Sequence, residues 1–233
     1  MAKLSDLLKN IFFPPSCFVC GKSPDEEQDG CLCRACRNRY HRERFITCSV
    51  CHLKYDECTC RPRFASPYID HYTKVMKYSE SNAAGKLILA AKDVSSGKLS
   101  DFLASEMRSA LQKRAFCPDV ITYVPCSDES FGKKGFDHGE KLARALGSAM
   151  DVPVKKCFVC VGGKTQKNLS AQARLDNSRN SIRPHKKIRE AVDGKKVLLV
   201  DDVLTTGASA LVASVHLKDN GAAIINFVSF GAR

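Results

Sequence analysis

The stretch Val197-Leu-Leu-Val-Asp-Asp-Val-Leu-Thr-Thr-Gly-Ala-Ser209 decides the fold of this 233-residue chain. Its apolar opening predicts a buried strand over 196–200. Two acids stand at the strand's carboxyl end, where ligands bind in open α/β sheets. A Thr-Thr-Gly-Ala-Ser turn then opens a helix over 208–219. Gly207 lets the backbone approach a ligand closely and adopt angles that other residues resist. The N–H groups of such a turn, aided by the helix dipole, form an anion site around Thr205, Thr206, Gly207, Ala208 and Ser209. The hydroxyls of Thr205, Thr206 and Ser209 add donors. Asp201 and Asp202 would repel a bare phosphate. They suit sugar hydroxyls, or a magnesium ion shared with a diphosphate. A plain strand–turn–helix with capping acids explains an isolated Asp-Asp or Thr-Gly, but not the whole run.

Outward from this segment, strand-like and helix-like stretches alternate. Helices are predicted over 82–92, 101–114 and 139–150, and strands over 119–125, 152–161 and 223–229. That alternation implies a mostly parallel sheet flanked by helices, an α/β fold. Val124-Pro125 closes a strand ahead of a polar stretch, where Lys133 and Lys134 offer point charges to a diphosphate. Phe136 is read as packing the following helix start, and His138 as a surface or capping residue. Residues 162–190 are polar and basic and read as a mobile loop. Within it, Lys164 to Leu169 and Arg174 to Asn177 fit either a basic lid over a phosphate or a solvated loop.

The net charge is +12, and residues 131–196 carry sixteen Lys or Arg against six Asp or Glu. So lopsided a segment repels itself unless an anion lies nearby, which favours polyanionic partners. Leu4 to Phe13 contains Asp6 and Lys9 and stops at Pro14-Pro15, far short of the ~20 apolar residues a transmembrane helix needs. No transmembrane segment or export signal is expected, and the chain reads as cytoplasmic.

Nine of the thirteen cysteines fall within the first 60 residues. Cys17-x-x-Cys20 with Cys33-x-x-Cys36, and Cys48-x-x-Cys51 with Cys58-x-Cys60, each offer four thiolates to one tetrahedral zinc ion. Cys31 is spare, His52 is a possible substitute in the second set, and ligation interleaved between the sets stays open. A segment this small lacks a core, so structural zinc would fold it. The chain divides near residue 64, into a Cys-rich unit (1–64) and an α/β unit (65–233). Arg34, Arg37, Arg39, Arg42 and Arg44 surround Tyr40 and Phe45. Such a basic ribbon suits single-stranded nucleic acid through phosphate contacts and stacking. Against that reading, Phe45 is expected to pack on the zinc knuckles. Cys157 and Cys160 lie on a predicted strand and point to opposite faces. They are read, with Cys117 and Cys126, as buried thiols.

Residues 197–209 resemble the phosphoribosyl-pyrophosphate (PRPP) motif of type I phosphoribosyltransferases. That resemblance implies Asp201 and Asp202 on the ribose hydroxyls, 205–209 around the 5′-phosphate, and the turn at Val124-Pro125 on the diphosphate. The whole order is a double Cys ribbon, Lys92 ending a helix after Tyr78, Val124-Pro125, Lys134-Gly-Phe-Asp-His138, then Gln166, Leu169, Arg174 and Asn177 at fixed spacing, then the Asp-Asp loop. This order resembles the ComF competence-protein family across nearly all the chain. It implies a type I phosphoribosyltransferase fold behind a small zinc-ribbon domain, with PRPP and magnesium as ligands. It also implies handling of single-stranded DNA in natural transformation, beside DNA-uptake proteins at the inner membrane. Lys134 and Asp137-His138 replace the family's usual Arg and Asn-Gln. Thr205 stands where some purine phosphoribosyltransferases carry a general base, and the sequence offers no replacement. A transferase acting on an unknown acceptor is the alternative function. A purely structural zinc adaptor leaves the phosphate loop unexplained.

Overall fold

The computed structural model describes residues 16–23, 31–94, 96–162 and 169–233. Its main sheet has four parallel strands: β1 (Tyr72–Lys77), β2 (Val120–Tyr123), β5 (Lys196–Leu204) and β6 (Ile224–Ala232), in the order β1-β6-β5-β2. Val197 to Val200 are fully buried, as expected for a parallel strand covered on both faces. Period-two alternation splits them. Leu198 and Val200 join Val228 and Phe230 under helices α2 (Ala83–Asp93), α3 (Gly97–Gln112) and α5 (His138–Met150). Val197 and Leu199 join Ile225 and Phe227 under α6 (Ala171–Ser181), α7 (Ile188–Val192) and α8 (Ala208–Asp219). A second, antiparallel pair joins β3 (Phe158–Cys160) to β4 (Ile182–Pro184).

Caps fix the helix starts. The Asn82 side chain accepts from the Gly85 N–H, Ser96 from Leu99, and Asp137 from Gly139 and Glu140. Each bond satisfies an amide that the first helical turn leaves unpaired. Ser96 starts α3 earlier than the expected residue 101. Among the described residues, no helix is long and apolar enough to cross a membrane.

The Cys-rich segment packs directly on the α/β part. Its helix α1 (Arg34–Arg44) lays Tyr40 against Phe102, and the Tyr40 hydroxyl donates to Glu106 at 2.6 Å. Glu43 accepts the Ala83 N–H at 2.6 Å, so a side chain of one segment helps cap a helix of the other.

Several expectations are corrected. Residues 169–190 are not a loop but hold α6, β4 and α7. The face of α6 that packs against α8 is built on Leu175, Ser178 and Ser181, and one Leu among small polar residues gives little apolar periodicity. The polar stretch after Pro125 forms a short helix, α4 (Asp128–Lys134), capped by Ser127. The strand expected over 152–161 shrinks to β3 plus one bridge from Val154 to Ile121. The arginine ribbon is a helix, with Tyr40 on its buried face. Phe45 does not pack on the knuckles; it is 65% exposed, with Lys54 above its ring. Cys157 is buried as expected, but Cys126 and Cys160 are half-buried and Cys117 is exposed.

Candidate functional site

The carboxyl ends of β2 and β5 open onto a cleft of about 540 Å³. Its floor is the loop Thr205 to Ser209 leading into α8, and Asp201 stands in its wall. Gly207 has φ of +83°, the left-handed region where only glycine is at ease. A Cβ there would lie 2.6 Å from Pro62 Cγ and 2.9 Å from the Phe64 carbonyl oxygen, so the site also demands close approach. The first turn of α8 presents N–H groups without intrahelical acceptors. The hydroxyls of Ser178 and Ser209 lie 3.2 Å apart and tie α6 to the loop.

Arg174, carried in on α6, donates to the Thr205 hydroxyl at 3.3 Å and to the Leu169 carbonyl at 3.1 Å. Arg233 enters beside it, 5.4 Å over the Tyr78 ring. Burial and the neighbouring Arg233 charge push the Arg174 pKa down. Val124 and Pro125 line the opposite side, followed by Lys133 and Lys134 on α4. Both lysines are held by acids: Lys133 by Glu129 at 2.6 Å and Lys134 by Asp93 at 2.7 Å. A diphosphate would compete with these carboxylates for them. Gln166 lies outside the described residues.

The two adjacent acids do different work. Strand alternation turns Asp202 away from Asp201, towards the α2–α3–α5 side. There its Oδ2 lies 2.7 Å from Lys92 Nζ and 3.1 Å from His138 Nε2. Burial opposes a charge on Asp202, but Lys92 and His138 hold its carboxyl far below the usual range. Burial and the Asp202 charge push Asp201 well above that range. His138 is thus neither a cap nor a surface group. It lines the cleft while its far nitrogen rests on a carboxylate. Sequence reasoning missed this pairing, and it missed Arg233 altogether. The residue order holds no signal for either, because Lys92 and His138 reach Asp202, and Arg233 reaches Arg174, only through the fold.

The cysteines separate into Cys17, Cys20, Cys33 and Cys36, and Cys48, Cys51, Cys58 and Cys60, the sulfurs within 4.8 Å of one another in each set. A tetrahedral zinc with Zn–S of about 2.3 Å spaces its sulfurs about 3.8 Å apart. Cys20 and Cys33 are 3.7 Å apart, and Cys48 and Cys60 3.9 Å. Both sets therefore fit zinc, and the ligands are not interleaved. Cys31 stands apart, its thiol directed at the Lys98 carbonyl. Lys74, buried on β1, donates to Cys58 Sγ at 3.2 Å and to the Cys60 carbonyl at 2.6 Å. It sets a positive charge against the thiolates of the second set.

The family described as Phosphoribosyl transferase domain matches residues 133–233. The chain is 30% identical over 159 residues to the DNA utilization protein YhgH of Salmonella typhimurium (strain LT2), covering 66% of this chain and 62% of that protein. It is 33% identical over 116 residues to the adenine phosphoribosyltransferase of Helicobacter acinonychis (strain Sheeba), covering 50% of this chain and 59% of that enzyme. The chain thus spans less than two thirds of the length of either relative. Among solved structures, the purine phosphoribosyltransferase of Pyrococcus horikoshii superposes with a TM-score of 0.39 at 19% identity, over 57% of this chain and 82% of that one.

The parallel sheet, the Asp-Asp loop opening α8 and the domain match define a type I phosphoribosyltransferase fold behind a Cys-rich region able to hold zinc. With that arrangement and the YhgH relatives, the chain is similar to the ComF family.

Proposed function

We propose that this protein binds PRPP with magnesium in the cleft and single-stranded DNA on its Cys-rich face, in a ComF-like DNA-uptake role. The observation that carries the PRPP half is the constellation of loop 205–209, Asp201, Arg174 and Arg233 around one cavity. The loop amides and the two guanidiniums suit the 5′-phosphate. Asp201 suits a ribose hydroxyl or the magnesium shared with the diphosphate. Lys133 and Lys134 suit the diphosphate itself. The DNA half is supported by the exposed arginines of α1 beside the exposed Phe45, and by relatives named for DNA utilization. We also read residues 1–64 and 65–233 as two units. We place the protein in the cytoplasm, beside DNA-uptake proteins at the inner membrane.

Calorimetry with PRPP and magnesium tests the cleft. Wild type should bind, and Asp201→Ala should bind at least about tenfold more weakly, the scale of one absent charge-assisted hydrogen bond. Wild type that gives no heat with PRPP overturns the reading.

One observation favours the alternative, a phosphoribosyltransferase acting on an unknown acceptor. His138 lines the cleft and is oriented by Asp202, so a proton-transfer group stands where the sequence offered none. PRPP-dependent pyrophosphate release with a panel of bases, amines and DNA tests it. Silence across the panel, with PRPP bound, argues for binding without turnover.

A further inference from the structure

The second cysteine set sits in sequence directly before a short segment that touches the phosphate loop. Cys60 is followed by Arg61 and Pro62. Pro62 lies in the space a Cβ on Gly207 would need, and the Phe64 N–H donates to the Thr206 carbonyl at 2.8 Å. The segment is then tied down at both ends. On one side Lys74 grips Cys58 and the Cys60 carbonyl. On the other, the Ser66 hydroxyl accepts from Ser214 of α8 at 2.7 Å inside the core, and the Ser66 N–H donates to the Tyr72 hydroxyl at 2.7 Å. Arg61 donates to the Ile69 and Ser66 carbonyls, closing the segment on itself. Residues 61–66 therefore run as a strap from the cysteine cluster, across the back of the phosphate loop, to the helix that the loop opens.

From these contacts we infer that the cluster Cys48, Cys51, Cys58 and Cys60 anchors the phosphate loop, with Pro62 and Phe64 as its positioning residues. Metal held there fixes Cys58 and Cys60, and so fixes where the strap begins. With the strap in register, the Thr206 carbonyl is engaged from behind, Gly207 keeps its left-handed turn, and the loop amides stay aimed into the cleft. The first set, Cys17, Cys20, Cys33 and Cys36, packs instead with α1 and the α2–α3 side and makes no such contact among the described residues. The two zinc sites are thus unequal: both suit folding, but only the second is wired to the anion site. The affinity claim rests on the PRPP reading above, whereas the anchoring claim does not.

The test compares full-length wild type, Cys58→Ser/Cys60→Ser, Cys17→Ser/Cys20→Ser and Phe64→Pro. Phe64→Pro deletes the donated N–H and leaves every sulfur in place. Three quantities are read: zinc per chain, amide exchange of residues 206–210 without ligand, and PRPP–magnesium affinity by calorimetry. Loss of the second cluster should speed exchange at 206–210 and weaken PRPP binding by about tenfold or more, the scale of one displaced charge-assisted hydrogen bond. Loss of the first should change neither by more than about twofold, within the coupling expected of separated sites. Phe64→Pro should keep both zinc ions and still show the fast exchange. Unchanged exchange in both Cys58→Ser/Cys60→Ser and Phe64→Pro overturns the anchoring. So does an equal effect from the two cluster variants, which would mean general unfolding. If wild type ignores PRPP, the functional reading fails, and the exchange arm still decides the anchoring.

Discussion

At the residue scale, the neighbours Asp201 and Asp202 are opposites. Asp202 is charged and held from two sides, so ionising it adds folding stability above the ordinary carboxylate range, and that stability is lost as the pH falls below it. Burial and the charge next door push the Asp201 pKa up, so ionising it costs stability as the pH rises through that raised pKa. A magnesium ion or a hydroxyl donated by ribose favours the ionised form of Asp201. Binding should then release a proton, and affinity for PRPP–magnesium should climb with pH through the raised titration of Asp201 and level off above it. Calorimetry across the raised titration of Asp201, in buffers of different ionisation enthalpy, reads both the slope and the proton. Asp201→Asn should flatten the slope, and a flat wild-type profile would refute the assignment of Asp201 to the ligand.

At the scale of elements, the junction of β5 and α8 carries the site. Gly207→Ala forces an L side chain into the left-handed region, a cost of ~1–2 kcal/mol. It also drives a methyl into Pro62. The variant should lose PRPP binding in calorimetry and unfold at lower urea, whereas Gly132→Ala, on the exposed α4 with open space at its Cβ, should do neither. This junction was the most legible part of the sequence, because strand, acids, turn and helix follow one another in thirteen residues. The elements that hid were those whose partners are remote. Strand β1 reads Tyr-Thr-Lys-Val-Met-Lys, and its buried Lys74 makes sense only once Cys58 and Cys60 lie above it. Helix α6 hid behind small polar residues that pack on α8. The cluster pairing was legible from spacing, yet only coordinates exclude interleaving. Phe45 misled because an exposed aromatic and a packed one are written with the same letter, and only the neighbours in space tell them apart.

At the scale of the whole molecule, charge and exposed rings fall together on the Cys-rich face. Arg34, Arg39 and Arg42 are exposed on α1, which ends at the exposed Phe45 with Lys54 over its ring, and Val50 and Leu53 of the same segment are exposed too. Anisotropy of a labelled oligodeoxynucleotide across a salt series should give a steep decline in affinity. Arg34→Ala/Arg42→Ala/Lys54→Ala should reduce the log–log slope by about 0.7 for each phosphate that is no longer neutralised. Phe45→Ala should cost ~1–3 kcal/mol of binding with the slope unchanged. A slope untouched by the triple variant would move the DNA to another face.

The contact of Pro62 with Gly207 has a practical consequence. A shortened protein starting at residue 65 would retain the sheet, both acids and all the hydroxyls of the Asp-Asp segment, so by inventory it would be complete. It would nonetheless lack the backing that keeps Gly207 in place, together with the donor to Thr206. Such a fragment should therefore be a poor surrogate for the intact molecule in any ligand screen, however well it folds.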